Sequence, residues 1–282
     1  MPTELRIALP TLNLTAQVWG DTDAPPLLAV HGWLDNAASF SLLAPHLAKR
    51  WRLIALDLPG HGHSDHLPAG AQYAYIDYVR CLLAALDALP LPRCSLLGHS
   101  LGAGITALAA AARPRQIDRL YLIEGLGPLG DDGTQTLQRF RNALQENPSP
   151  SRGLRVFRDI EQAVEVREAV SGLPAELARP IVERGLAETD GGWRWRSDPQ
   201  LNRASPARLA ETQIHDLLAG IEAPTRLLLA KPVTPYLPSG PMLARAARVP
   251  RIRVDHLGGG HHLQLEHPQA VAEWIEQSDA AG

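Results

Sequence analysis

The chain has 282 residues, of which 45% are hydrophobic and 20% charged, so it can bury the core of one large α/β domain or of two small ones. Its formal net charge of −3 provides no basic field for nucleic acid or anionic lipid, and neither partner is predicted. No stretch approaches the roughly 18 apolar residues of a membrane span, and no signal peptide is visible, so a cytoplasmic location is predicted. Cys81 and Cys94 lie in apolar runs, which indicates core packing rather than a disulfide framework or a zinc site.

Short apolar runs alternate with longer helical patterns in the first half of the chain, as is typical of βαβ units and a parallel sheet. The first two runs predict a pair of opening strands joined by a turn, and the wholly apolar third run predicts a central buried strand. Strands are predicted at residues 6–9, 14–19, 26–30, 51–56, 93–97 and 120–123. Helices are predicted at residues 39–49, 76–89 and 105–113.

The pattern changes after Gly130. Residues 131–220 are rich in arginine and glutamate and predict several helices without a buried strand. Breaks in this pattern occur at residues 148–153, 172–174 and 191–199. Strands resume at residues 225–230 and 252–257, before a last helix at 268–277. A helical insert of this size is typical of a functional cap. We therefore predict a core domain of residues 1–130 and 221–282, with residues 131–220 as an inserted helical cap.

The strongest local signal is the sequence GHSLG at residues 98–102, between a predicted buried strand and a helix. A nucleophile at the tip of a sharp strand-to-helix turn needs a strained backbone, and the residues two positions away must be small. Gly98 and Gly102 meet that requirement around Ser100. The following helix directs its N-terminal N–H groups towards an anion that develops beside Ser100. The pattern predicts a nucleophilic Ser100, the alternative being a tight turn with a bystander serine.

The tripeptide His31-Gly32-Trp33 directly follows the third predicted strand. Gly32 allows the backbone to turn back across the sheet edge, so that the Trp33 N–H can face Ser100. Together with the Leu101 N–H, it would form an oxyanion hole of two donors, which requires backbone geometry and no particular side chain. The alternative is that these residues merely end a strand.

A glycine-rich segment near the C-terminus, GGGHH at residues 258–262, provides candidates for the general base. A neutral imidazole there can accept the Ser100 proton and later return it to the leaving group. Either His261 or His262 can take this role. A metal site made of His261, His262 and His267 is not predicted, because adjacent histidines point in different directions and no carboxylate–histidine spacing accompanies them.

Four sequence motifs follow one another along the chain: HGW at 31–33, DLPGHGHS at 57–64, GHSLG at 98–102 and GGGHHLQLEHP at 258–268. With them the chain resembles the α/β-hydrolase superfamily over nearly its whole length. The longer segments HGWLDNAASF, GHSLGAG and LIEGLGPL are similar to the sequences of the serine hydrolase-like branch. The resemblance implies an α/β-hydrolase fold, in which helices flank a mostly parallel central sheet and a helical cap is inserted.

The resemblance also assigns roles to several histidines. It favours His261 over His262 as the base, because a Gly-His pair followed by Glu266 and Pro268 matches the family pattern. It implies that the loop at residues 57–64 is a structural corner beside the site. The histidines of that loop, His61 and His63, are then hydrogen-bonded supports rather than catalysts.

The sequence departs from the family pattern at the acid of the catalytic triad. The family usually places an aspartate just after the strand that here covers residues 226–230, yet residues 230–240 contain no acid. Glu124 follows the strand after the nucleophile helix, and strand ends on that edge face the active site of an open sheet. Haloalkane dehalogenases resemble this arrangement, so Glu124 is the predicted acid. Asp255 and Asp216 are the alternative acids. If one of them takes the role, Glu124 is a helix-capping or surface carboxylate.

Trp193 and Trp195 flank Arg194, so both rings can share one face of a short strand. They are predicted either to line the substrate pocket or to hold the cap on the body. The leading hypothesis is hydrolysis of a carboxylic ester or related acyl compound through an acyl-Ser100 intermediate, without a cofactor. The expected partner is a small molecule with an apolar acyl part, and no oligomeric state is predicted. Carbon–carbon bond hydrolysis by the same triad and ligand binding by a receptor are the alternatives.

Overall fold

The structure is a computed structural model that describes residues 1–145, 155–234 and 239–277. The strands in these ranges are β1 (Thr3–Ala8), β2 (Asn13–Trp19), β3 (Pro26–Val30), β4 (Arg52–Leu56), β5 (Cys94–His99), β6 (Ile117–Ile123), β7 (Leu186–Thr189), β8 (Gly192–Trp195), β9 (Thr225–Lys231) and β10 (Ile252–Gly258). The α-helices are α1 (Ala44–Leu47), α2 (Tyr75–Ala88), α3 (Leu101–Ala112), α4 (Thr136–Gln145), α5 (Ile160–Ser171), α6 (Ala175–Gly185), α7 (Glu211–Ala219), α8 (Ser239–Ala246), α9 (Leu263–Glu266) and α10 (Pro268–Glu276). Within the described residues, no helix is long and apolar enough to cross a membrane.

Eight strands form one sheet in the order β1-β2-β4-β3-β5-β6-β9-β10. β2 is antiparallel to both β1 and β4, and the remaining neighbours are parallel. The chain runs from β3 outwards to β4 and then back across to β5, so the strand order reverses beside β3. In open parallel sheets, functional sites lie at the carboxyl ends of the strands near such a reversal. This α/β sheet is the one that the sequence predicts.

The sheet has an apolar core on each of its faces. In β3, Leu28 and Val30 pack on one face with residues of α2, α3 and α7, whereas Leu27 and Ala29 pack on the other with residues of α1 and α10. Successive side chains of a strand point to opposite faces. A wholly apolar strand is therefore buried on both sides, which explains why its sequence does not alternate.

The predicted strands agree with the structure to within a few residues, but two helix boundaries differ. The helix that follows Ser100 begins at Leu101, earlier than predicted. The predicted helix at residues 39–49 is wrong: the chain forms a 3-10 helix at Ala37–Phe40 and then the single turn of α1. Pro45 explains the interruption, because proline lacks an N–H and its ring clashes with the carbonyl group four residues before it.

Residues 131–220 contribute no strand to the large sheet in the part of them that the structure describes. They form α4 to α7 and the antiparallel pair β7–β8. The sequence predicts helices here and allows a short strand around Trp193 and Trp195, but it does not predict this hairpin. Asp190 and Gly191 form its turn, and Gly191 has a φ of +87°. The predicted helix break at residues 148–153 lies outside the described residues.

Arg184 on α6 joins this insert to the body of the protein. Its guanidinium group donates to Asp57 at 2.7 Å and to Glu4 at 2.6 Å, and its side chain is only 5% exposed. Asn36, in the segment after β3, donates its side-chain N–H to the carbonyl oxygen of Ile181 at 2.8 Å. These contacts hold α6 against the loops that follow β3 and β4.

Candidate active site

Ser100 lies in the turn between β5 and α3, with a φ of 52° and a ψ of −114°. Such angles are rare for a residue with a side chain and mark local strain. The turn is crowded on both sides. A Cβ added to Gly98 would lie 2.4 Å from the backbone of α3, and one added to Gly102 would lie 2.0 Å from the carbonyl oxygen of Val30. The glycines of GHSLG are therefore required by close backbone approach, as the sequence predicts.

His261 lies in the loop between β10 and α9. Glu266 holds this loop, since its carboxylate accepts the N–H of Gly260 at 2.6 Å and that of His262 at 3.1 Å. The carbonyl oxygen of His261 is 2.8 Å from Nε2 of His99. Glu266, which the sequence motif singled out only by its spacing, thus has a positional role in the loop that carries the candidate base.

The ring of His261 lies between Ser100 and Glu124. Its Nε2 is 2.9 Å from the Ser100 hydroxyl oxygen, and its Nδ1 is 3.1 Å from Oε2 of Glu124. The Glu124 side chain is 2% exposed and that of His261 is 19% exposed. When the Nδ1–H donates to the carboxylate, Nε2 carries the lone pair that faces the serine hydroxyl.

Glu124 follows β6 and has a φ of 52°. Its Oε1 accepts the N–H of Ala230 at 2.7 Å, and its Oε2 accepts the hydroxyl of Thr234 at 2.7 Å. Burial by itself raises the pKa of Glu124, but the hydrogen bonds from His261, Ala230 and Thr234 outweigh burial and lower the pKa from its usual value. The carboxylate is therefore ionised at neutral pH and offers a fixed negative charge to His261.

The two alternative acids have other surroundings. Asp255 accepts hydrogen bonds from Arg226 at 2.6 Å and from the indole N–H of Trp274 at 2.9 Å, and Asp216 is exposed on α7. Thr234 is a contact that the sequence analysis missed. It lies in the segment without an acid, and no motif marks its hydroxyl as a partner for a carboxylate on another strand.

The candidate oxyanion donors lie close to the serine. A Cβ added to Gly32 would be 3.3 Å from the Cβ of Ser100, so the turn that carries Trp33 passes directly beside the nucleophile. Leu101 is the first residue of α3, and its N–H therefore has no acceptor within the helix. These positions fit the predicted donors, whose role stays a prediction.

The Trp33 side chain is a further feature that the sequence analysis did not assign. The residue is 51% exposed, and its indole N–H donates to the carbonyl oxygen of Leu201 in the insert at 3.3 Å. The side chain of Trp33 therefore joins the turn after β3 to the insert. The HGW motif concerns the backbone, so it does not indicate a contact between the Trp33 side chain and the insert.

The loop at residues 57–64 forms a buried corner beside the site. Asp57 accepts the N–H of His63 at 2.8 Å. Nε2 of His61 accepts the N–H of Leu34 at 3.2 Å, and its Nδ1 donates to a backbone carbonyl oxygen at 3.0 Å. Burial lowers the pKa of His61 to about 3, so this ring is neutral. His61 is the support that the resemblance implies, whereas His63 takes part through its backbone and its ring is exposed.

Trp193 and Trp195 both lie on β8 and are half-buried. Their rings pack in the apolar cluster of the insert, where Trp195 meets Phe157 edge-on with ring centroids 5.5 Å apart. Trp195 also lines a small cleft between the insert and the body, together with Asp35 and Arg167. The structure thus places both rings in the packing of the insert, and their predicted role in a substrate pocket stays a prediction.

Comparisons with known proteins agree with this architecture. A family model described as the alpha/beta hydrolase fold matches residues 25–156. A serine hydrolase-like protein of Danio rerio is 30% identical in an alignment that covers 97% of this chain and 87% of that protein. A 2-(acetamidomethylene)succinate hydrolase of Mesorhizobium japonicum is 29% identical over 258 residues, or 90% of this chain and 87% of that protein.

A solved structure is also similar. The crystal structure of a hypothetical protein from Pseudomonas aeruginosa PAO1 has 39% sequence identity and a TM-score of 0.91, over 98% of this chain and 99% of that chain. The motifs, the sheet and the relatives lead to the same conclusion: the chain belongs to the α/β-hydrolase superfamily, near its serine hydrolase-like branch.

Proposed function

We propose that the protein is a serine hydrolase that cleaves a carboxylic ester or a related acyl compound through an acyl-Ser100 intermediate. The observation that carries the proposal is the hydrogen-bonded chain in which His261 lies 2.9 Å from Ser100 and 3.1 Å from Glu124. A hydroxyl, an imidazole and a carboxylate in this order can act as nucleophile, general base and orienting acid.

The reaction then proceeds in two halves. The Ser100 oxygen attacks the acyl carbon while its proton passes to Nε2 of His261, and Glu124 stabilises the imidazolium that forms. His261 returns this proton to the leaving alcohol as the bond between the alcohol oxygen and the acyl carbon breaks. Water attacks the acyl-enzyme in the same way and releases the acid and free Ser100.

The oxyanion that forms in each half-reaction needs hydrogen-bond donors. We assign this role to the backbone N–H groups of Trp33 and Leu101, which flank Ser100 from two different segments. Each such donor is worth about 3 kcal/mol of transition-state stabilisation in comparable sites. The N-terminus of α3 adds its partial positive charge at the same point.

The inserted segment is proposed to act as a cap over a core made of residues 1–130 and 221–282. Trp33 is half-exposed beside the insert and is proposed to offer an apolar surface to the acyl part of a small-molecule substrate; Trp193 and Trp195 are proposed to line the same pocket. The relative from Mesorhizobium is named as the hydrolase of an acetamido compound, which also contains an acyl group. A cytoplasmic location stays a prediction from the sequence.

Labelling with a fluorophosphonate probe, followed by mapping of the modified peptide, tests the proposal. We expect the label on Ser100, and Ser100→Ala should abolish both labelling and turnover of short p-nitrophenyl esters while leaving the circular dichroism spectrum unchanged. Label on Ser64 or Ser95 contradicts the assignment of the nucleophile. Saturable binding of ligands without any turnover indicates a receptor, and cleavage of carbon–carbon bonds without ester turnover indicates the other hydrolase class.

A further inference from the structure

A second group of titratable side chains lies directly behind Ser100 and His261, and the proposed reaction does not use it. Asp35, His99 and His262 are all buried, and each offers one ligand atom within 4.8 Å of the others. His99 precedes the nucleophile and His262 follows the base. Asp35 lies just beyond the turn that carries Trp33, so three separate segments of the active site meet in this cluster.

His99 carries an unpaired nitrogen in the centre of the cluster. Its Nε2 donates to the carbonyl oxygen of His261 at 2.8 Å, which requires the ring proton to be on Nε2. In a neutral imidazole the other ring nitrogen is then the acceptor. Its Nδ1 therefore carries a lone pair, and it has no hydrogen-bond partner among the residues that the structure describes.

This lone pair faces a second electron-rich atom. Nδ1 of His99 is 3.7 Å from Oδ2 of Asp35, and Nε2 of His262 is 3.3 Å from the same oxygen. Arg167 pairs with the other oxygen of Asp35, which favours the ionised carboxylate. Asp35 is therefore an anion, and a nitrogen lone pair beside it is unfavourable unless a cation or a donor lies between them.

We propose that Asp35, His99 and His262 form a binding site for a divalent transition-metal ion of the zinc type. Two imidazole nitrogens and a carboxylate oxygen are a donor set that Zn²⁺ accepts at about 2.0–2.2 Å, which separates neighbouring tetrahedral ligand atoms by about 3.4 Å. The two distances from Oδ2 of Asp35, 3.3 Å and 3.7 Å, are close to that value, and the two imidazole nitrogens, which lie within 4.8 Å of each other, would move closer together around the ion.

The atoms around the ligands also suit a metal. A ligating histidine usually donates its other ring N–H to a carbonyl or carboxylate group, and His99 does so to His261. Oδ2 of Asp35 accepts the Ser39 hydroxyl at 2.8 Å, while its other oxygen pairs with Arg167. These contacts leave the carboxylate oriented towards the two imidazoles.

Arg167 allows the proposal to predict the direction in which the affinity for the metal changes. The guanidinium group neutralises part of the Asp35 charge and therefore opposes the binding of a second cation. Arg167 belongs to α5 of the insert and lines the same small cleft that reaches Asp35. Removal of its charge should strengthen metal binding, whereas loss of a merely structural contact would weaken or not affect it.

The test is a titration of the full-length, chelator-treated protein with ZnCl₂. Calorimetry measures the binding, and the melting temperature is measured with and without Zn²⁺. We expect one Zn²⁺ per chain, a higher melting temperature, and intense visible absorption of the tetrahedral type when Co²⁺ replaces Zn²⁺. His262→Gln and Asp35→Asn should each weaken Zn²⁺ binding at least tenfold and remove the rise in melting temperature. Arg167→Gln should bind Zn²⁺ more tightly than the wild type.

Two variants provide controls. His261→Ala removes the histidine of the triad, and His46→Gln removes an exposed histidine; both should bind Zn²⁺ as the wild type does. His262 is at the rim of the cluster, with a side chain that is 10% exposed, so His262→Gln is the substitution least expected to disturb folding. Zn²⁺ binding that disappears in His261→Ala and persists in His262→Gln would place the metal at the triad and overturn the proposal. The same holds if no stoichiometric binding of Zn²⁺ is detected.

Discussion

His261 and His262 are adjacent in the chain but contact different groups. His261 lies against Ser100, whereas Nε2 of His262 lies 3.3 Å from Asp35. His261→Ala should therefore lower kcat for a p-nitrophenyl ester by about 10³-fold or more, as removal of a triad member does elsewhere. His262→Ala, measured in the same assay with chelator present, should have a much smaller effect. A larger loss in His262→Ala would transfer the role of base to that residue.

Glu124 is the residue at which this chain departs from the common family pattern. Glu124→Gln keeps the shape of the side chain, but its amide can hold His261 in the wrong tautomer, so kcat should fall by about 10³- to 10⁴-fold. The matched control is Asp216→Asn, which changes an exposed carboxylate on α7 and should leave kcat unchanged. If Glu124→Gln retains the kcat of the wild type, Glu124 is not the acid of the triad.

The turn between β5 and α3 depends on the close contact of Gly102 with β3. A methyl group at Gly102 would lie 2.0 Å from the carbonyl oxygen of Val30, whereas Gly240 in α8 has no atom within 4 Å of such a group. Gly102→Ala should lower the free energy of unfolding in urea by about 1–3 kcal/mol through overpacking. Gly240→Ala should change it by less than about 1 kcal/mol, because the added methyl group meets no neighbouring atom. Equal effects of the two substitutions would contradict this account of the turn.

The attachment of the insert to the body rests on a few buried groups. Arg184 pairs with the buried Asp57, whereas Arg179 on the same helix pairs with Glu161 in an exposed position. Arg184→Met leaves the Asp57 charge buried without its partner, so the free energy of unfolding should fall by about 3–5 kcal/mol. Arg179→Met should cost about 0–1 kcal/mol, as exposed ion pairs do. Urea unfolding of the two variants measures the difference, and similar losses would show that Arg184 is not the anchor.

The buried Asp35 should also make the stability of the protein depend on pH. Its pKa in the folded protein lies well below the reference value of 3.8, so the unfolded chain takes up a proton first as the pH falls. The stabilisation by Asp35 is complete above about pH 4 and is lost as the pH falls through the folded pKa. Unfolding in urea at a series of acid pH values should show that the stability difference between the wild type and Asp35→Asn shrinks below about pH 4. A difference that grows under acid would contradict the direction of the shift.

Much of the fold and the candidate site could be predicted from the sequence because the relevant signals are local. A buried parallel strand is recognisable from its own apolar run, and GHSLG marks its turn because a strand-to-helix turn around a nucleophile always brings backbone close to both glycines, whichever segments supply it. Glu124 could be selected because the end of β6 must lie at the same sheet edge as the end of β5. The prediction of a helix at residues 39–49 was wrong because Pro45 interrupts it, although the neighbouring residues have the periodicity of a helix.

Other features are decided only by tertiary structure. The meeting of Asp35, His99 and His262 depends on how the segment after β3, the end of β5 and the loop after β10 cross the sheet edge. The pairing of Arg184 with Asp57 likewise joins residues that are far apart in the chain. A sequence motif records which residue types stand at fixed spacing, and these residues have no such spacing. Charge, hydrogen bonding and burial act on groups within a few ångströms in space, so only the folded chain brings these partners together.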